Sequence, residues 1–338
     1  QLFPDCHVLK LAPVGEEMSL SLRLSRGHSV VFKAQPDDLE PVVIKLMPTD
    51  KIRREQANYD EYIKDRLVGR FYAQLERVVE FWDLGGAVYS FMGSSLEALP
   101  SFAAFYRQQD DPQAILRPLD YFFRQVWSKH YERPLVSTTP LFQAYSQTLR
   151  LEERLNRLNT QDETQSFPGL PRPVLNPVLW VLRHSRDQGP LVRQAVTHGD
   201  LHGDNLFVDG EYAWAIDFER TGPGHILRDF VELEVDIITR LVSLPGDDFA
   251  PYYEFILYGV LTDARADRAE PQSMLGHEAR KALSVIAGLR QLAMEVTGGS
   301  DGREYLWGLL LDALFLATLS SGEPLRRDRA LLLSAVLC

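Results

Sequence analysis

His198-Gly-Asp-Leu-His-Gly-Asp-Asn205, followed shortly by Ile216-Asp-Phe-Glu219, is the stretch on which the reading of this chain turns. It offers three polar side chains: Asp200, Asn205 and Asp217. Moving a phosphoryl group from ATP needs an in-line hydroxyl, a carboxylate to take its proton, and metal ions that neutralise the phosphates. Asp200 suits the carboxylate. Asn205 supplies a neutral amide oxygen and Asp217 a charged one, the hard ligands that Mg²⁺ prefers. The spacing therefore implies ATP and Mg²⁺ as cofactors. It also requires, upstream, a glycine-bearing strand turn, a strand lysine and a helix glutamate.

Between the two motifs, Asp209-Gly210 separates two apolar runs, a strong signal for a two-residue hairpin. Pairing outward from that turn sets Val208 opposite Glu211, Asn205 opposite Trp214 and Asp217 opposite His202. Asp217 then returns to the loop that carries Asp200 and Asn205. Asp, Asn and Gly also favour turns for local reasons, but turn chemistry alone does not account for the partners found upstream. His198 reads as a structural residue beneath the loop. His202 is open between a substrate-side role and a bond to a backbone carbonyl.

Upstream, residues 18–25 alternate apolar and polar as a half-buried strand does, and Gly27 sits in the turn before a second strand at Val30–Phe32. Val42-Val-Ile-Lys45 is a third strand ending in Lys45, whose flexible ammonium suits the phosphates. Lys33 competes for that role, although a loop follows it. Residues 51–67 carry a helical stripe of Ile52, Tyr59, Ile63 and Leu67. Glu55 lies about 60° from that stripe at roughly 100° per residue, whereas Glu61 lies opposite. Glu55 is therefore the expected partner of Lys45. Val78-Val79 and Ala87–Phe91 add two strands, and the pattern after about residue 95 is mostly helical. Thr160–Pro173 reads as an exposed connection.

With 338 residues the chain can bury a large core and divide into two lobes. Hydrophobic residues at 45% and charged residues at 25% are ordinary for a soluble globular protein. No apolar run is long enough to span a bilayer. The start, Gln1-Leu-Phe-Pro-Asp-Cys, has neither a leader pattern nor an initiator Met, and reads as a cut, processed or renumbered beginning. Cys6 and Cys338 form no framework, so free thiols in the cytoplasm are expected. A net charge of −11 argues against nucleic acid as the main partner and is compatible with a cationic substrate.

HGDLHGDN (198–205) with IDFE (216–219) resembles the protein-kinase-like superfamily, in its aminoglycoside phosphotransferase and choline kinase branch. The resemblance implies an α+β bilobal fold: an N-lobe over residues 1–92, with a five-stranded antiparallel sheet and one main helix, and a large, mostly helical C-lobe over 93–338. It implies Asp200 as catalytic base, Asn205 and Asp217 as metal ligands, and Lys45 with Glu55 as the phosphate-positioning pair. Gly27 would belong to the phosphate turn, and Ser90, Phe91 and Met92 to a hinge whose backbone meets adenine. Asp229 of Arg228-Asp-Phe230 would steady the catalytic loop. Glu219 stands where protein kinases have Gly.

Only about ten residues separate Asp217 from Arg228, and no Ala-Pro-Glu anchor follows, so the protein-substrate platform of protein kinases is not expected. The acceptor reads as a small molecule with a hydroxyl. Glu232, Glu234 and Asp236 offer it a cationic site, although a solvated helix face is the ordinary fate of such a run. The alternative is a catalytically silent nucleotide- or partner-binding module. DFERTGPGHILRDFVELE also resembles a subgroup of these domains found within larger prokaryotic signalling or conflict proteins, which would supply partner domains. Transfer to protein, or of AMP, is a third reading open to the same residues.

Overall fold

The computed structural model describes residues 8–13, 29–37, 40–67, 72–90, 99–158, 161–188, 190–244, 249–261, 276–299, 302–319 and 323–338. It has the α+β, bilobal protein-kinase-like architecture. The N-terminal sheet is antiparallel, with strands β1 (Val8–Pro13), β2 (Val30–Pro36), β3 (Val42–Pro48), β4 (Leu75–Phe81) and β5 (Leu84–Ser90) in the order β1-β2-β3-β5-β4. Its fifth member is therefore Val8–Pro13, paired to β2 with Ala12 opposite Lys33. The strand expected at 18–25, the turn with Gly27 and the lobe boundary near residue 92 lie outside the described residues.

Alternation in β3 sends Val42 and Ile44 into one small core and Met47 into another, which also holds Ile52, Ala87 and Tyr89. Lys45 shares the second face, opposite Val31 and Ala87, and is buried there. That face is covered by helix α1 (Thr49–Asn58), which continues as a wide turn over Tyr59–Ile63. The buried residues Ile52, Glu55, Tyr59 and Ile63 recur every three or four positions. Glu55 thus belongs to the buried stripe, and Glu61 is exposed. Gly85 lets β5 approach closely, because a Cβ there would meet Ile52 Cγ2 at 2.7 Å.

The helical part contains α2 (Phe102–Gln108), α3 (Pro112–Tyr121), α4 (Leu141–Leu149), α5 (Pro177–Gln188), α6 (Arg228–Asp236), α7 (His277–Val296), α8 (Gly302–Ala317) and α9 (Pro324–Leu337), with shorter turns between. The helix expected over Leu141–Leu158 is broken at Arg150, which adopts φ 55°. The connection expected at Thr160–Pro173 is partly anchored: Thr164–Gln165 pairs with Val174–Leu175, and buried Phe167 packs on Phe249. Strands β6 (Leu135–Pro140) and β7 (Leu191–Thr197), absent from the sequence reading, join β10 (Gly222–His225) in a sheet ordered β10-β7-β6. Between β7 and β10 lies the hairpin β8 (Leu206–Val208) and β9 (Ala213–Ala215). Strand β7 delivers the chain to His198, and β10 carries it from Asp217 into α6.

His130 closes a short turn after α3 and lies 5.0 Å, ring to ring, from Trp127. Burial, aided by the Arg66 charge, pushes its pKa from 6.5 down to about 4. Between those values the unfolded chain binds the extra proton, so this term is absent above pH 6.5 and erodes stability as pH falls toward 4. His130→Gln should flatten the loss between pH 7 and 4.5 by on the order of 2 kcal/mol, measured by urea unfolding at both pH values.

Candidate active site

The 198–205 loop is held from below by one helix. Asp229 Oδ2 accepts from His198 N at 2.9 Å and Asp229 Oδ1 from Gly199 N at 2.9 Å. Glu232 Oε2 accepts from Leu201 N at 2.8 Å, and Asp236 Oδ2 from Gly203 N at 2.8 Å. Positions 229, 232 and 236 are i, i+3 and i+7, a single face of α6. Bonds of this charged kind contribute about 1.5–3 kcal/mol each. Arg228 closes the arrangement by donating to Gly199 O at 2.5 Å and to Glu232 Oε1 at 2.8 Å.

Four buried carboxylates on one short helix need compensation. Tyr131 donates to Asp229 at 3.0 Å. Asp236 is bracketed by Arg240 at 2.6 Å and Arg326 at 2.7 Å. Burial raises the pKa of Asp236, but these guanidiniums outweigh it and hold the carboxyl down at about 2. Burial raises Glu232 despite Arg228. Glu234 turns the other way, to Arg290 at 2.5 Å and Tyr305 at 2.7 Å. The expectation of either a cationic lining or a solvated face for Glu232, Glu234 and Asp236 is therefore corrected. Apolar residues surround α6 on every side, so its acids have no solvent face and turn to buried partners.

The hairpin also differs from expectation. Val208 pairs with Ala213 and Leu206 with Ala215, leaving four residues in the loop instead of two. Asp209 Oδ1 accepts from Glu211 N and Tyr212 N, and this side-chain turn replaces the tight Asp-Gly turn. The register shifts by two residues, so every side chain keeps its face. Ile216 N donates to Asn205 O at 3.0 Å, which still brings Asp217 beside Asn205.

Around this frame the sequence-derived residues fall as follows. Lys45 Nζ lies 2.7 Å from Glu55 Oε2 and 2.8 Å from Asp217 Oδ1. Burial disfavours the ammonium, but Asp217 and Glu55 outweigh that cost and raise its pKa above the ordinary value. Burial raises Glu55, whereas for Asp217 the Lys45 charge overrides burial and lowers the pKa. Tyr89 donates to the other oxygen of Glu55 at 2.5 Å. Asp217 adopts φ 70°, rare for a residue with a side chain and common where function holds the backbone in place. Asn205 spends its Nδ2 on Asp200 O at 2.8 Å, which directs Oδ1 away from that carbonyl. Asp200 retains 28% side-chain exposure and receives Arg220 on Oδ1 at 2.9 Å. His198 is fully buried, with Nε2 2.9 Å from Ile216 O and its ring against Trp127 and Phe218. His202 Nδ1 accepts from Asp204 N at 3.3 Å.

Ser90 lies at the end of β5 and is tied to Gln74, from Ser90 N to Gln74 O at 2.9 Å and from Gln74 N to Ser90 Oγ at 3.2 Å. Gly27, Phe91 and Met92 lie outside the described residues. Sequence reasoning missed Tyr89, Asn58 and Arg220, and it named Glu232 and Asp236 without their capping role. For the acids a signal existed, in the apolar residues that encircle α6. The others meet their partners across long sequence separations and left none.

The fold is similar to that of aminoglycoside phosphotransferases of known structure. Aminoglycoside 2′-phosphotransferase-IIIa, solved as its GDP complex, is similar at 14% identity over 99% of this chain and 94% of that one, with a TM-score of 0.52. Aminoglycoside-3′-phosphotransferase of type VIII is similar at 13% identity over 92% of this chain and 94% of that one, with a TM-score of 0.51. The chain belongs to the Ternary complex associated domain 9 family, whose model matches residues 146–319. No curated protein matches the chain in sequence.

Gly199 adopts φ 76°, and a Cβ there would stand 2.5 Å from Arg220 O. Backbone cannot yield as a flexible side chain does. Gly199→Ala should destabilise the protein by about 1–3 kcal/mol through strain and overpacking, read as a lower urea midpoint at unchanged slope.

Proposed function

We propose that this protein transfers the γ-phosphate of ATP to a hydroxyl group of a small molecule, with Mg²⁺. The observation that carries the reading is the buried Lys45 ammonium lying between Glu55 and Asp217, one hairpin away from Asp200 and Asn205. In this reading residues 1–92 and 93–338 form two lobes with nucleotide between them, and Gly27, Ser90, Phe91 and Met92 take part on the N-lobe side. Asn205 Oδ1 and the Asp217 carboxylate are the hard oxygen donors that would hold Mg²⁺, whose charge would neutralise the phosphates. Lys45 would keep Glu55 and offer its remaining donors to the phosphates, leaving Asp217 to the metal. Asp200 orients the acceptor hydroxyl and takes its proton on Oδ2, since Arg220 occupies Oδ1.

A small acceptor is favoured by the run from Asp217 to Arg228. It is consumed by a one-turn helix at Phe218–Arg220 and by β10, which pairs with β7 from Gly222 opposite Thr197 to His225 opposite Gln194. It offers no extended platform for a protein substrate. The two solved relatives are named for phosphotransfer to aminoglycosides, small molecules with hydroxyl groups. No helix among the described residues is long and apolar enough to cross a membrane.

The name of the family, Ternary complex associated domain 9, favours a second reading, in which the module binds nucleotide within an assembly and is catalytically silent. One comparison separates the two. With an acceptor that the wild type phosphorylates, Asp200→Asn should leave Mg·ATP binding nearly intact and lower turnover by about 10²–10⁴-fold. Asp217→Asn should instead weaken Mg·ATP binding itself. Equal turnover in wild type and Asp200→Asn would reject the proposed base. Mg·ATP binding without turnover across a broad acceptor panel would select the silent module.

A further inference from the structure

Glu219 stands two residues beyond Asp217, and its carboxylate reaches back to α1. Its Oε2 lies 3.6 Å from Lys51 and its Oε1 3.4 Å from Arg54. At the end of the same helix, Asn58 Nδ2 donates to Glu219 O at 2.7 Å and to Phe218 O at 3.3 Å. Lys51, Arg54 and Asn58 are i, i+3 and i+7, one face of α1, and that face is fastened to the segment that follows Asp217. Phe218 fills the joint, 5.8 Å ring to ring from Tyr59 and 5.5 Å from His198.

The ion pairs are partly exposed, with Arg54 at 57% and Lys51 at 35% side-chain exposure, so each is individually weak. The amide of Asn58 differs, because it satisfies two consecutive backbone carbonyls and so fixes the course of the chain. Glu55 sits on the neighbouring face of the same helix and holds Lys45, which in turn meets Asp217. A closed circuit results, running from α1 through Asn58 and Glu219 to the 217–219 segment, and through Lys45 back to α1.

We infer that Asn58 and Glu219 are positioning residues that make α1 and the Asp217 segment one mechanical unit, so that the Lys45–Glu55–Asp217 cluster is assembled before any ligand arrives. The assignment of Asp217 to the metal rests on the function proposed above; the mechanical coupling does not. Asn58→Asp keeps the shape but sets a carboxylate against two carbonyls, and Glu219→Ala removes both ion pairs.

The test has two arms on the full chain. In hydrogen exchange without ligand, both variants should speed exchange about tenfold or more at the amides of 216–222 and of α1 together, while α7 and α8 stay protected. Rates unchanged from wild type, or faster in only one of the two segments, would overturn the coupling. In nucleotide titration, ATP affinity without Mg²⁺ should be unchanged, the gain on adding Mg²⁺ should shrink about tenfold, and Glu219→Gln, which still accepts hydrogen bonds, should recover part of it. Loss of affinity to the same factor with and without Mg²⁺ would overturn the positioning role. A wild type that binds no nucleotide at all would overturn the phosphotransfer reading, and the exchange arm would then decide the coupling alone.

Discussion

The candidate site depends on the row of carboxylates that α6 presents to the backbone of the 198–205 loop. The 198–205 loop is neither strand nor helix and has no ladder of its own, and buried N–H groups without partners are costly. Asp229, Glu232 and Asp236 supply acceptors at one, two and three steps along the helix, and each receives a backbone donor from the loop. The geometry is set by a rigid helix against a short stretch of chain, which is how a loop acquires the precision of a scaffold. Asp200 and Asn205 inherit that precision because they are carried on the same loop.

This solution has an electrostatic cost that propagates outward. Buried acids require buried cations: Arg228 and Arg240 come from α6 and its continuation, Arg290 from α7 and Arg326 from α9. The requirement explains why α6 is encased: a solvated carboxylate would have less reason to accept from the loop. On the N-terminal side the logic is reversed. There a buried cation, Lys45, is compensated by two acids from separate elements, and the three groups hold one another in place.

How much of this was legible in the chain follows from the range of the interactions. The β3 alternation and the helical period at 52, 59 and 63 are local signals, and they placed Lys45 and Glu55 on facing surfaces. The hairpin was legible in kind but not in register, because Asp209 used its side chain to build a wider turn than Asp-Gly suggests. The two-residue slip preserved side-chain faces, so Asp217 still arrived beside Asn205. Strands β6 and β7 could not be read, since each is defined by neighbours far away in sequence. The acidic run of α6 was misread because charge by itself suggests solvent. The apolar residues on every side of that helix say otherwise, and they were the better guide.

Arg326 belongs to α9, the last helix described, yet its guanidinium closes on Asp236 and so stands one bond away from Gly203. A ribosome releases the chain from its N-terminal end. The 198–205 loop and α6 therefore leave the exit tunnel well before one of the charges that neutralises their contact has been made. Without α9, Asp236 keeps Arg240 as its guanidinium partner among the described residues. Arg326 thus ties the last helix described to the far end of the loop.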